Sequence, residues 1–198
     1  MLGGWTLRSG IRSHRATPYE DVVLSVGKFA QDKTGALIVL ERKTGLRTHA
    51  ESGVSLDARL SYDLLLTIFR PGSRFHDGAV IIMKDRIAAA SCFLPLSVTT
   101  DRTRELGSRH RAAIGITEET DAVALVVAEH TGVISLAVEG TLEPGLSEDR
   151  VRERIAALFG KRVVSQASPI GGIAIPPPLP EVRQASNISI IRRRDEAS

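Results

Sequence analysis

Aromatic side chains are scarce in this chain: one Trp, two Tyr and five Phe make up 4% of its 198 residues. Its core must therefore be built mostly from Val, Ile, Leu and Ala. Cysteine is scarcer still. Cys92 stands alone, which excludes a disulfide framework and fits a reducing compartment. It lies in the run Ala88-Ala89-Ala90-Ser91-Cys92-Phe93-Leu94, where a buried core thiol is expected rather than a nucleophile. No stretch approaches the ~18 consecutive apolar residues of a membrane span. Met1 to Arg15 carries Arg8, Arg12 and Arg15 but no apolar segment, so it is not a secretory signal. An excess of one charge is also lacking. The 26 basic and 23 acidic residues leave +3, too little to mark a nucleic-acid protein but suited to binding anions at a local site. A cytoplasmic protein is expected.

What remains is the balance of an ordinary globular chain, 42% hydrophobic and 25% charged. Its length suggests one domain with a tail, or at most two small domains. Residues 1–16 read as an irregular segment, 17–164 as the globular domain and 165–198 as a Pro-rich, flexible tail. In that tail Pro176-Pro177-Pro178 favours an extended conformation, Asn187 to Ile191 could add a strand, and Arg192-Arg193-Arg194 is a basic cluster. Within the domain, a helix is expected from near Pro18, with Val22, Val23, Val26 and Phe29 at helical spacing, stopped by Thr34-Gly35. Ser61 and Ser147 are expected to cap helices over 62–69 and 148–159, and a further helix should start near Ser108, with Ser108 as its N-cap. Strands are expected over 36–40, 79–83, 87–94, 122–128 and 133–138, with turns at Thr44-Gly45, Lys84-Asp85-Arg86 and Thr131-Gly132. Strands and helices mix without strict alternation. The predicted fold is a single α/β domain with a central mixed β-sheet flanked by helices.

Three segments carry groups suited to chemistry. Gly107-Ser108-Arg109-His110-Arg111 joins a flexible approach, a hydroxyl and two guanidinium forks at a helix start, the parts of a phosphate cradle. It reads equally as a solvated basic helix start. His76-Asp77-Gly78-Ala79 puts an imidazole and a carboxylate, ligands for Mg²⁺ or Mn²⁺, just before an apolar strand. Taken alone, an Asp-Gly turn is the commoner explanation. Glu129-His130-Thr131-Gly132 repeats an acid–imidazole pair, though taken alone a hairpin connection with polar tips is the stronger reading. All three sit at strand ends or a helix start, where ligands gather in α/β sheets.

The run Leu106 to Gly115, with Gly107-Ser108-Arg109-His110-Arg111 at its start, closely resembles the Arg-His-Arg motif of diadenylate cyclases. Phe75 to Ile82 resembles their Asp-Gly-Ala motif, and Ala88 to Ser97 resembles the segment between. The likeness spans about Pro18 to Leu158. It is nearest to the catalytic domain of the membrane-anchored subtype, so a location at the inner membrane face is expected if an anchor is missing from this chain.

The resemblance implies an enzyme that joins two ATP into cyclic di-AMP, as a homo-oligomer in which two ATP-bound domains face each other. It implies Mn²⁺ or Mg²⁺ as cofactor, and no nucleic-acid partner is expected. Asp77, Arg109 and Arg111 would be catalytic. Gly78, Ala79, Phe93, Leu94, Gly107, Ser108, Arg109, His110, Arg111 and Glu129 would bind ATP, with Leu94 packing on the base. His76, Asp77 and His130 would hold the metal. An aspartate is by itself a weak base at neutral pH, so help from a metal is implied. The family usually has Ser-Glu-Glu-Thr-Gly where this chain has Ala128-Glu129-His130-Thr131-Gly132. That departure motivates an alternative, a nucleotide-binding regulator with little or no turnover. A binder of phosphate-rich polymers, suggested by the pI of about 9.3, lacks the interleaved aromatics that stack on bases.

Overall fold

Alternating apolar residues give the central strands two hydrophobic faces, and helices cover both. A computed structural model describes residues 19–98 and 106–160; the expectations for residues 1–16 and 165–198 lie outside the described residues. Along the chain come α1 (Glu20–Asp32), β1 (Ala36–Leu40), α2 (Arg47–Ala50), β2 (Val54–Arg59), α3 (Tyr62–Phe69), β3 (Ala79–Met83) and β4 (Arg86–Cys92). Then follow α4 (Ser108–Glu119), β5 (Val123–Val127), β6 (Ile134–Val138), β7 (Thr141–Pro144) and α5 (Glu148–Phe159). The sheet has the order β2-β4-β3-β1-β5-β6-β7. β1 and β3 are parallel and the other neighbours antiparallel, the mixed sheet that the sequence predicts.

Period two sorts the strands into two cores. Ile38, Leu40, Val80, Ile82, Val123 and Leu125 face α1, α3 and α5, meeting Val26, Phe29, Phe69 and Ile155. Leu37, Val39, Ala79, Ile81, Ala124 and Val126 face α4, meeting Ala112, Ala113 and Ile116. Each fully buried Val, Leu or Ile contributes roughly 1.5–3 kcal/mol. Ser61 and Ser147 cap as expected: Leu64 N–H donates to Ser61 Oγ at 3.3 Å and Arg150 N–H to Ser147 Oγ at 3.2 Å. α1 instead begins at Glu20, after Tyr19 in a left-handed conformation and with no side-chain cap. Arg152 on α5 secures it, reaching Glu20 at 3.1 Å as well as Glu148 at 2.8 Å.

Sequence reading finds no element in residues 46–60 or 139–146, where α2, β2 and β7 form. β2 and β7 are the sheet's edges, and their side chains are mostly exposed or half-buried. Val54, Leu56 and Ala58 do alternate with polar residues along β2, a period-two signal that the sequence reading passed over.

The pairing brings particular ends together. Ala36 lies opposite Val127 and Ala79 opposite Cys92. The amino ends of β1 and β3 therefore share one end of the sheet with the carboxyl ends of β4 and β5. After β4 the chain crosses back along α4. Ser97 N–H donates to the Arg111 carbonyl at 3.1 Å, and a Cβ on Gly115 would fall onto the Pro95 carbonyl oxygen. Gly115→Ala should therefore lower stability by about 1–3 kcal/mol, although alanine is the better helix former by about 1 kcal/mol. Chemical denaturation measures this; an unchanged or higher midpoint would refute the close contact.

Candidate functional site

At the shared end of the sheet two clefts adjoin. The first encloses about 520 Å³, part of it open to solvent. Leu37, Ala79, Leu94, Leu96 and Ala112 make it largely apolar, and Asp77, Ser108 and Arg109 supply its polar groups. Phe93 lines it from the rim and is 78% exposed. The second cleft, about 850 Å³ by the same measure, is polar: Ser108, Arg109, His110, Glu129 and His130 line it together with Gly107 and Ala128. Ser108 and Arg109 belong to both.

Backbone geometry fixes the first cleft's floor. Gly78 has φ 102°, and a Cβ there would stand 2.7 Å from the Ser91 carbonyl carbon and 2.9 Å from its Cα. Only glycine meets both demands. Ser91 is itself left-handed, φ 54°, at the irregularity in β3–β4 pairing. Asp77 is thereby brought to the cleft. Across from it, Ser52 Oγ accepts from Phe93 N–H at 3.0 Å and pins the wall.

The start of α4 differs from expectation. Gly107, not Ser108, is the N-cap; it is extended and no side chain caps the helix. Ser108 is the first helical residue, so its hydroxyl is free to face the clefts. Uncapped amides at a helix start suit an anion. Arg109 Nη1 donates to Glu129 Oε2 at 3.1 Å, while its Nε is buried without a partner. Arg111 lies two residues on, where helical geometry turns it away from Arg109. It lines neither cleft, and its Nε is also buried and unpartnered. Burial pushes the His110 imidazole below its ordinary pKa, favouring the neutral form beside the cationic Arg109.

Of the expected metal ligands, Asp77 lines the first cleft and His130 the second. His76 lines neither; its Nδ1 lies 2.5 Å from the Ser73 carbonyl, an arrangement in which that nitrogen donates. Among the described residues no three His, Cys, Asp or Glu side chains gather as a metal cage. A divalent ion would thus depend on one or two protein carboxylates with ligand oxygens and water, the usual habit of Mg²⁺.

Comparison with known proteins bears on the same residues. The family model described as DisA bacterial checkpoint controller nucleotide-binding, abbreviated DAC, matches residues 23–142. The chain belongs to the DAC family. It is 39% identical over 168 residues to the cyclic di-AMP synthase CdaA of Bacillus subtilis (strain 168), covering 84% of this chain and 62% of that one. It is 44% identical over 134 residues to a diadenylate cyclase of Listeria monocytogenes (strain 10403S), covering 68% and 49%. The chain therefore spans between about half and two thirds of these curated relatives. A crystal structure of a DacA double mutant from Staphylococcus aureus is also similar, with a TM-score of 0.69 and 41% identity, covering 71% of this chain and 93% of that one. Among the described residues no helix is long and apolar enough to cross a membrane.

The DAC match takes in every cleft residue, including Leu37, Leu96 and Ala112, which motif reading did not assign to the site. Ala112 could have been found, because it lies three and four residues after Arg109 and Ser108, on their helix face. Leu37 and Leu96 carry no polar signature. Cys92 lines the first cleft as a buried thiol, and burial pushes its pKa from the ordinary 9.0 up to about 11. Its folded form holds a proton that an unfolded chain releases, so its contribution to stability is lost as pH rises from about 9 through about 11. Native protein at pH 8 should resist alkylation by iodoacetamide and react readily once denatured; rapid labelling in the folded state would contradict this.

Proposed function

We propose that this chain is a diadenylate cyclase, condensing two ATP into cyclic di-AMP with release of two pyrophosphates. The observation that carries the proposal is the shared Ser108–Arg109 junction, with an apolar cleft bearing Asp77 on one side and a polar cleft on the other. The apolar cleft suits a flat base, and the junction with its uncapped helix start suits the phosphates.

The 3′-hydroxyl of one ATP attacks the α-phosphate of the other. A P–O bond to the 3′-oxygen forms, the bond from the α-phosphorus to the bridging oxygen breaks, and pyrophosphate leaves with that bond's electrons. Repeating this in the opposite sense closes the ring. Each chain offers one Asp77 and one junction, so the reaction needs two chains face to face. A two-fold contact would supply both halves. Phe93, Leu96 and Val98, at 78%, 45% and 88% exposure, give the cleft's surroundings an apolar surface that a second copy could cover.

Asp77 orients the 3′-hydroxyl and takes up its proton. Arg109 and Ser108 hold phosphate oxygens and stabilise charge on the departing pyrophosphate. Asp77, the carboxylate of the apolar cleft, together with nucleotide oxygens fits Mn²⁺ or Mg²⁺, with His76 and His130 as further candidates. Such an ion, once bound, acidifies the hydroxyl and neutralises phosphate charge. Arg111 supports the helix start and meets the phosphates only if ligand binding reorients it. Ala128 and His130 on the polar cleft are what favour the second reading, a nucleotide-binding regulator with little turnover.

Incubation with ATP and either Mn²⁺ or Mg²⁺ should yield cyclic di-AMP, identified by chromatography and mass. Binding of ATP without product under both metals would leave the regulator reading. Asp77→Asn should cut turnover by roughly 10²–10⁴ while ATP still binds, and mixing it with wild-type protein should depress activity below the wild-type share. Activity strictly proportional to wild-type protein after subunit exchange would rule out a shared reaction centre.

A further inference from the structure

Gly35 has a sequence setting that suggests only a helix stop, yet α1 is already closed without it. Lys33 takes the left-handed conformation at φ 53°, and Thr34 N–H donates to the Phe29 carbonyl at 2.8 Å. Gly35 itself does not have a positive φ, so its backbone would accept alanine. What demands glycine is space. A Cβ at this position would stand 3.0 Å from Cβ of Glu129 and 3.1 Å from both Cζ and Nη1 of Arg109.

The guanidinium of Arg109 therefore lies against the bare backbone at the start of β1. The same Nη1 donates to Glu129 Oε2 at 3.1 Å, and Nε has no partner among the described residues. Among the described residues, one ion pair is thus the only polar hold on the head group. Glu129 is 59% exposed, and exposed pairs restrain little on their own. The wall behind the guanidinium supplies the missing constraint.

We infer that Gly35 and Glu129 form a seat that orients Arg109: Gly35 is the flat wall and Glu129 grips the outer nitrogen. Both are positioning residues, and Arg109 is the group that meets the ligand's phosphates. This rests on the nucleotide reading of the site and adds the source of its phosphate specificity. A methyl at Gly35 displaces the guanidinium or Glu129 by a few tenths of an ångström. Because charge-assisted hydrogen bonds depend on geometry, that shift weakens phosphate binding and leaves the apolar cleft intact.

The test uses calorimetric titration of the full chain with adenosine and with a non-hydrolysable ATP analogue, alongside thermal melting. Gly35→Ala and Glu129→Gln should each weaken the analogue roughly tenfold while adenosine changes less than about twofold. Gly35→Ala should melt at or above the wild-type temperature, because alanine restricts the unfolded chain. In an Arg109→Lys background no guanidinium fills the seat, so adding Gly35→Ala should change analogue affinity by less than about twofold. Wild-type analogue affinity in Gly35→Ala, equal losses for adenosine and analogue, or a penalty that persists with Lys at 109 would each overturn the inference. If Gly35→Ala melts far below wild type, its role is structural and the inference fails on that ground. Wild-type protein that bound neither ligand would remove the nucleotide reading itself, and the inference with it.

Discussion

The close approach of α4 to the chain leaving β4 is the constraint on which the site depends. Gly115 leaves no side chain between the helix and the Pro95 carbonyl, and Ser97 is bonded to the Arg111 carbonyl. The residues on either side of this contact do different jobs. Upstream, Phe93 and Leu94 form a wall of the apolar cleft. Along the helix, Ser108 and Arg109 face both clefts. Welding these segments together fixes the distance between the wall of the apolar cleft and the start of α4. The underside of α4 is built for the same purpose. Ala112 and Ala113 meet Ala79, Ala89 and Ala124, small residues that let the helix sit low on the sheet. Larger side chains would bury more area and lift the helix away from Asp77.

Charge has two roles on the two faces of this sheet. On the α1 and α5 side, Arg152 reaches Glu20, Glu148 and Asp149 at 2.6–3.1 Å, and Glu20 and Glu148 hold its pKa further above the ordinary arginine value. Several acids on one guanidinium make a network rather than an isolated surface pair, the arrangement in which ion pairs do help a fold. It ties the first helix to the last. The Arg109–Glu129 pair is single and partly exposed, so its stability contribution is about 0–1 kcal/mol. Its value lies in direction. A flexible arginine held in one orientation needs less ordering when an anion arrives.

Much of this was legible from residues alone, for identifiable reasons. Strands buried on both faces, such as Ala36–Leu40 and Val123–Val127, are continuous apolar runs bounded by turns, and they fold as read. Ser61 and Ser147 cap because a hydroxyl can reach back to an amide three residues on. Ser108 failed as a cap because Gly107, extended and one residue earlier, takes that place and leaves the helix start open. β2 went unread although Val54, Leu56 and Ala58 alternate with Ser55, Asp57 and Arg59; none of its side chains is fully buried, and its pairing is irregular around Asp57. The chemical motifs were legible as residue types and ambiguous as a site. Nothing in the string His76-Asp77-Gly78 says that it faces Arg109. Gly35 was the hardest to find, since the reason for it lies in the side chains of residues distant in sequence.

The mixed topology explains why these distant segments meet. In a fully parallel sheet ligands gather at the carboxyl ends of strands. Here the parallel pair, β1 and β3, presents amino ends, which places Gly35 and Asp77 at the rim. Their antiparallel neighbours β5 and β4 reach the same rim by their carboxyl ends, bringing Glu129 and Phe93. Had β4 or β5 run parallel to its neighbour, its last residues would lie at the far end, and either the wall of the apolar cleft or the Glu129 contact to Arg109 would be lost. The antiparallel flanks thus convert an amino-end rim, which a parallel sheet leaves without a ligand crevice, into two clefts that share one arginine.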